Sequence, residues 1–474
     1  MNELLGLSLT DLCGKIHDRS ASPVESMEAV LSRIDETNED LNAVVAMRDR
    51  DALMADASEA EARVMKGDAR PLEGIPLGVK DLEDAAGLVT SMGSRPFADD
   101  VADRDSDQVA RLRDAGAIVL GKTNTPEFGY TAITKNLVFG VTRSPWNLER
   151  TPGGSSGGSA AAMAGCMLPL VTGSDGGGSV RLPASFTGAY GLKPSYGRIS
   201  TGPRKRWGYN DTAGHGPITK TVEDAALFMD QVVGASPHDP NSLPHPGYSY
   251  VEKLREPMDN KLRIAYSPDL GYAVVQSDIA AAVEEGVKVF EQMGHHVEEV
   301  KGGPPLISGN WGKLGAFEIG GGLRNLLPER EAEFGRSFIA GIKNAHTMTA
   351  DWWGEAAQQR EQLNAWCTDI FDDYDILITP TVSFDPPPAG GPFPEETEGR
   401  KQVEVGVAAF TIPFNLSWHP AATVRAGISE AGLPIGMQIV GPRHREDIVL
   451  GASRLFETER PWHPEWPTSW MWGC

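Results

Sequence analysis

Thr151-Pro152-Gly153-Gly154-Ser155-Ser156-Gly157-Gly158-Ser159 is the stretch on which the reading of this chain turns. An Ala- and Met-rich run leads from it to Leu170. A second cluster follows, Gly173-Ser174-Asp175-Gly176-Gly177-Gly178-Ser179-Val180-Arg181-Leu182-Pro183-Ala184. Taken alone, a Gly/Ser run reads as a flexible linker. The setting argues against that, because the run lies mid-chain beside a helical segment and a second Gly cluster. Such clusters next to small apolar residues signal close backbone approach in a packed interior. Backbone N–H groups free of side chains also suit a cradle for a developing oxyanion.

Outward from this stretch the pattern alternates between helix and short apolar strand. Leu4–Ile16 is one amphipathic stretch, Pro23 opens a second helix after Ser22, and 51–66 has helix-favouring composition. Gly74–Asp81 reads as a strand ending in a charged pair, 105–115 as a helix, and 117–121 as a compact strand. Helix and strand alternate again at 222–234 and 262–266, then at 278–293 and 296–300. Late strands are expected at 376–380, 421–426 and 435–440, with a closing helix at 446–459. This order predicts an α/β layered fold. Residues 236–260, the Gly-rich 301–325 and the Pro/Gly/Glu-rich 383–400 read as irregular.

Acidic residues number 65 against 43 basic ones, a formal net charge of −22. That balance disfavours nucleic-acid and anionic-membrane partners. The only dense basic patch is Arg204-Lys205-Arg206. The first residues do not read as a secretory leader, and four scattered cysteines make neither a disulfide framework nor a zinc site. A cytoplasmic protein with reduced thiols is expected. The C-terminal Trp462, Trp466, Trp470 and Trp472 read as packing onto the body or onto a partner.

Gly153-Gly154-Ser155-Ser156-Gly157 formally satisfies the nucleophile elbow of an α/β-hydrolase-type esterase, with Ser155 as nucleophile. That elbow needs a strand directly before it, and 147–152 does not read as one. Asp375 and His419 are the only nominees for its remaining partners. A different resemblance covers most of the chain. Gly78-Val79-Lys80-Asp81, Gly121–Glu127, Pro152–Ser159, Gly173–Ala184, Gly191-Leu192-Lys193-Pro194, Thr411-Ile412-Pro413 and Gly432–Gly436 together resemble the amidase signature family. The resemblance implies a single α/β/α domain with a central mixed sheet surrounded by helices. Within it, 1–70 is an N-terminal helical part and 72–200 the signature core. Residues 236–400 form a variable pocket region, and 401–474 the C-terminal part.

The resemblance also implies a Ser–cis-Ser–Lys triad. Lys80 matches the base, Ser155 the bridging serine after a cis peptide, and Ser179 the nucleophile. Backbone N–H groups of Gly176, Gly177, Gly178 and Ser179 match the oxyanion hole. Ser156 matches a supporting hydroxyl, while Asp175 and Arg181 anchor the loop. Gly176 departs from the larger residue usual there. No cofactor or metal is implied. The chemistry suits these residue types. A lysine serves as base only when neutral, and burial lowers its pKa from about 10.4 toward 7.

Two substrate readings follow. Glutamine hydrolysis, as in the glutamine-hydrolysing component of tRNA-dependent amidotransferases, needs a carboxylate for the substrate ammonium, and 405–410 carries none, with Glu404 misplaced. The aromatic residues Trp311, Phe317, Trp352, Trp353, Phe414 and Trp418 instead predict an apolar pocket. The favoured substrate is thus an apolar aryl or alkyl amide, with esters, anilides and carbamates as variants sharing the carbonyl. The assembly state, a homodimer included, stays open at this point.

Overall fold

The computed structural model describes residues 3–203, 211–258, 261–403 and 406–462. The basic patch at 204–206, Glu404 and Trp466, Trp470 and Trp472 lie outside the described residues.

The main sheet has seven strands in the order 218–219, 190–193, 421–428, 434–440, 376–380, 263–266 and 296–299. The last three are parallel to one another and the other pairings are antiparallel. Parallel strands need long crossovers, here supplied by Ser277–Gln292 and by the helices between 308 and 373. Helices Arg181–Thr187, Ser277–Gln292 and Glu446–Glu459 pack onto this sheet.

A separate four-stranded sheet, in the order 44–47, 118–123, 76–80, 170–171, carries the start of the site. Every residue of Pro76–Lys80 and Ile118–Thr123 is buried. Strands covered on both faces read as near-continuous apolar runs, which is why Ile75–Val79 and Ala117–Leu120 are legible in the sequence. The helix Pro23–Leu41 starts where its sequence directs. Ser22 caps it, Glu25 completes a capping box and Pro23 occupies the first turn.

Several expectations need correction. Leu4–Ile16 is two helices, Glu3–Gly6 and Leu9–His17, because Ser8 caps a new start. The irregular reading of 236–260 misses the helix Tyr250–Arg255, which Ser249 caps. The irregular reading of 301–325 misses the 16-residue helix Ser308–Leu323. Glycine there permits contact instead of breaking the helix. A Cβ on Gly320 would sit 2.8 Å from Ile342 Cγ2 on the neighbouring helix Arg336–Ala345. Cys166 is disulfide-bonded, against the reduced-thiol expectation, whereas Cys13 and Cys367 are free and buried. No helix among the described residues is long and apolar enough to cross a membrane. Trp462 does pack onto the body, donating its indole N–H to the Lys220 carbonyl at 3.0 Å.

Candidate active site

Lys80 is the last residue of its strand, and Thr172 Oγ1 accepts its backbone N–H at 3.0 Å. Its side chain runs into a ring of hydroxyls. Nζ lies 2.8 Å from Ser155 Oγ, 2.8 Å from Ser156 Oγ and 2.9 Å from Ser174 Oγ, with the Ser174 carbonyl at 3.3 Å. The residue is only 1% exposed. Burial pushes the Lys80 pKa from its usual 10.5 down to about 7, against a smaller upward pull from Asp175 and Glu83. A neutral amine offers two donors and one lone pair. The Ser174 carbonyl takes one donor, which leaves the lone pair free to accept from a hydroxyl.

The Gly/Ser run holds these hydroxyls in place and is no linker. The Gly154–Ser155 peptide is cis. The helix Gly157–Ala164 that follows is buried at every residue. Asn124 O accepts from Gly158 N at 3.0 Å, and Ser159 Oγ donates to Thr172 O at 2.8 Å, tying the run to the Lys80 sheet.

The second Gly cluster is pinned peptide by peptide. Trp311 Nε1 donates to Gly176 O at 2.8 Å and Thr411 Oγ1 donates to Gly177 O at 2.7 Å. Gly178 N–H donates to Asp175 Oδ1 at 2.6 Å. That bond corrects the sequence reading, because it commits the Gly178 N–H and removes it from the oxyanion-hole set. Gly177 must lack a side chain, since a Cβ there would lie 2.4 Å from the Trp311 ring. Ser179 is half-buried and faces the same cavity as Ser155. Among the described residues no hydrogen bond joins these two hydroxyls, although both line one cavity. Catalytic bonds are often loose without substrate.

Asp175 and Arg181 form a closed pair beneath the cluster. Arg181 Nε donates to Asp175 Oδ2 at 2.9 Å and Nη2 to Oδ1 at 3.0 Å. Arg181 also reaches Asn415 Oδ1 at 2.6 Å, Gln438 Oε1 at 2.7 Å and Thr411 O at 3.0 Å. Burial is the largest single influence and would raise the Asp175 pKa, but the Arg181 charge and hydrogen bonds, with Lys193 and Asn415, together outweigh it and hold the carboxyl well below its usual range. The pair ties the second Gly cluster to the Arg181 helix, since Asp175 also accepts from Gly178 N–H.

Two cavities meet at Ser179, Gly177 and Trp311. One of about 160 Å³ includes Ser155 and Ser174 in its lining. The other, about 710 Å³, has Leu182, Phe384, Phe393 and Val407 on its walls and Glu395 and Lys401 exposed at its rim. Of the aromatic nominees, only Trp311 lines them. Phe414 is fully buried in the core beneath, because its helix packs inward. Phe317 sits edge-on to His346, and Trp352 lies under the Lys313 ammonium. Trp353 and Trp418 line a different cavity of about 680 Å³ behind Trp311. The sequence reading misses Ser174, Thr411, Asn415 and Gln438 as supports. Ser174 sits inside the second Gly cluster, yet nothing in its spacing separates it from other serines.

The elbow geometry is not formed, since no strand precedes Ser155. Asp375 accepts from Arg263 N, and His419 bonds Ser417 Oγ and stacks on Phe371.

The family model Amidase matches residues 25–450. The acylamidase of Rhodococcus erythropolis is 36% identical over 97% of both chains. A glutamyl-tRNA(Gln) amidotransferase component from Syntrophobacter fumaroxidans is 35% identical over 98% of this chain and 100% of its own. Among solved structures, a bacterial aryl acylamidase of the amidase signature family superposes with a TM-score of 0.91 at 29% identity, covering 98% of this chain and 99% of that one. With a matching family model over most of its length, and relatives of this identity across nearly all of it, the chain belongs to the amidase signature family and is a hydrolase of carbon–nitrogen bonds in linear amides.

Proposed function

We propose that the protein cleaves amides bearing an apolar aryl or alkyl acyl group, through Lys80, Ser155 and Ser179 and a covalent acyl-enzyme. Neutral Lys80 accepts the Ser155 proton while Ser155 accepts the Ser179 proton. Ser179 Oγ then bonds to the carbonyl carbon. The N–H groups of Gly176, Gly177 and Ser179 receive the developing oxyanion. As the C–N bond breaks, Ser155 delivers a proton to the departing nitrogen and is reprotonated from Lys80. Water, activated through the same chain in reverse, releases the acid. Esters and carbamates present the same carbonyl and are expected as slower or faster variants.

The observation that carries this reading is the buried Lys80 amine, held to about 7 and 2.8 Å from Ser155 Oγ. The relatives named acylamidase and aryl acylamidase support amide cleavage as the reaction, and the apolar walls of the larger cavity support the acyl preference. One observation favours glutamine instead: Glu395 and Lys401 at the rim offer a charge pair to an amino acid. The test is covalent labelling with a fluorophosphonate followed by peptide mass spectrometry, with a panel of amides, anilides, esters, carbamates and glutamine. The adduct is expected on Ser179. An adduct on Ser155 that survives Ser179→Ala would overturn the assignment, and glutamine as the best substrate would overturn the acyl preference.

A further inference from the structure

We infer that the 160 Å³ cavity is the subsite for the leaving amine, and that His215 beside Glu83 selects amines carrying a second hydrogen-bonding group. The inference rests on the reading of Ser155 as proton donor to the departing nitrogen. Of the two cavities meeting at Ser179, only the smaller has Ser155 on its lining. The amine must leave on the side of its proton donor, so the larger cavity holds the acyl group.

The size is suited to a small amine. A cavity of about 150 Å³ accepts a benzene ring, so this one has room for an aniline-sized or short-chain amine. Its walls are of two kinds. Leu82, Met92 and Phe128 make an apolar side, and Glu83 and His215 a polar one. His215 is fixed by sheet register directly opposite Ser174, which itself contacts the Lys80 amine. His215 Nδ1 is buried without a hydrogen-bond partner, 3.6 Å from Glu83 Oε1. Glu83 is held rigidly, accepting from Ser106 Oγ at 2.6 Å and Gln108 Nε2 at 3.0 Å. Buried polar atoms are nearly always satisfied, so an unsatisfied imidazole nitrogen on a cavity-lining residue calls for a partner brought by the ligand. A hydroxyl fits best, since it donates to or accepts from either tautomer. Aminophenols and short amino alcohols carry one.

During acylation the Ser179 Oγ–carbon bond forms, the C–N bond breaks, and the nitrogen gains one proton from Ser155. The amine thus departs neutral into the His215 cavity. By microscopic reversibility the same cavity receives an amine that attacks the acyl-enzyme.

The experiment pairs one aryl acid with aniline, 3-aminophenol and 4-aminophenol, and with phenol as an ester. kcat/KM is measured for the native protein, His215→Leu and His215→Gln. At least one aminophenol amide is expected to exceed the anilide about fivefold or more in the native protein. His215→Leu should bring that ratio near one and His215→Gln should retain part of it. Capture of the acyl-enzyme by added aminophenol over aniline should follow the same order. Deacylation by water, read from the ester burst, should change less across the three proteins than the aminophenol-to-anilide ratio does. A native ratio near one for both aminophenols, or a ratio undiminished in His215→Leu, overturns the subsite. Should His215→Leu fold poorly, the native capture ratio and His215→Gln decide alone. Failure of the catalytic reading looks different: amide and ester of one acid would then share no common deacylation rate.

Discussion

Lys80 and Arg181 are both removed from solvent, a few residues of structure apart, yet they have become opposite things. Arg181 meets a carboxylate in a two-pronged pair and fills its remaining N–H groups with Asn415, Gln438 and a carbonyl. Both charges are held, and neither proton is available. Lys80 meets only hydroxyls and a carbonyl. With no carboxylate in contact, burial lowers its pKa to about 7 and the proton becomes movable. Lys122 stands between the two, since burial lowers its pKa as well while the Asp81 carboxylate pulls it back up. It too is buried, but it lies 4.0 Å from Asp81, and no serine cluster surrounds it. A buried charge anchors structure when it is matched, and its proton is freer to move when its neighbours are neutral.

The contrast can be broken most directly at the proposed reactive centre. Ser179→Ala or Lys80→Met should lower turnover by about 10⁴-fold or more while leaving the circular dichroism and melting temperature near native. Retained activity in either variant would remove the reactive half of the comparison. At the matched pair the effect should appear in stability. Asp175→Asn strands the Arg181 charge and should cost about 3–5 kcal/mol, read from denaturant melts. The Asp175 carboxyl titrates lower folded than unfolded, so its contribution is present above the ordinary carboxylate range and fades as pH falls below it. A melt unchanged by Asp175→Asn would show that the pair is not an anchor.

Smaller effects sharpen the picture. Gly177→Ala should push Trp311 off the loop, at about 1–3 kcal/mol of overpacking, and should lower kcat more than it raises KM. Equal loss in both would argue against a loop that holds the oxyanion. The pH profile should separate the two residues without mutation. Below about 7 Lys80 is an ammonium and accepts nothing, so kcat/KM should fall about tenfold per unit there and level off above. Because the Lys80 pKa is lowered on folding, the unfolded chain holds more protons between about 7 and 10.5, so this group's stability contribution improves with rising pH across that window. A flat profile from about pH 5 to 8 would contradict a lysine base.

Much of the frame is legible in residue order. The strand Ile376–Pro380 and the helix Glu446–Glu459 fall where pattern alone puts them, since both are short, regular and bounded by clear polar signals. The helix Ser308–Leu323 is hidden because glycine lowers local helix preference. Its stability comes from the partner helix that glycine lets come close. Phe414 is misassigned to the pocket for a related reason: burial against the sheet and lining a cavity leave the same aromatic in the sequence. Trp311, nominated beside it, does line the site, a difference that no local feature encodes.

The chain alone determined its layered α/β class, its family and the motif positions of Lys80, Ser155 and Ser179, because these rest on periodicity and on an ordered series of short motifs. Only the tertiary structure decided that Lys80 is ringed by three serines and no carboxylate, that the Gly178 N–H is already spoken for, and which of six aromatic side chains faces Ser179. Those are matters of distance between segments as much as 257 residues apart, as for the Arg181 bond to Gln438. Dielectric, hydrogen-bond commitment and cavity shape are set by such long-range neighbours, and residue order does not record them.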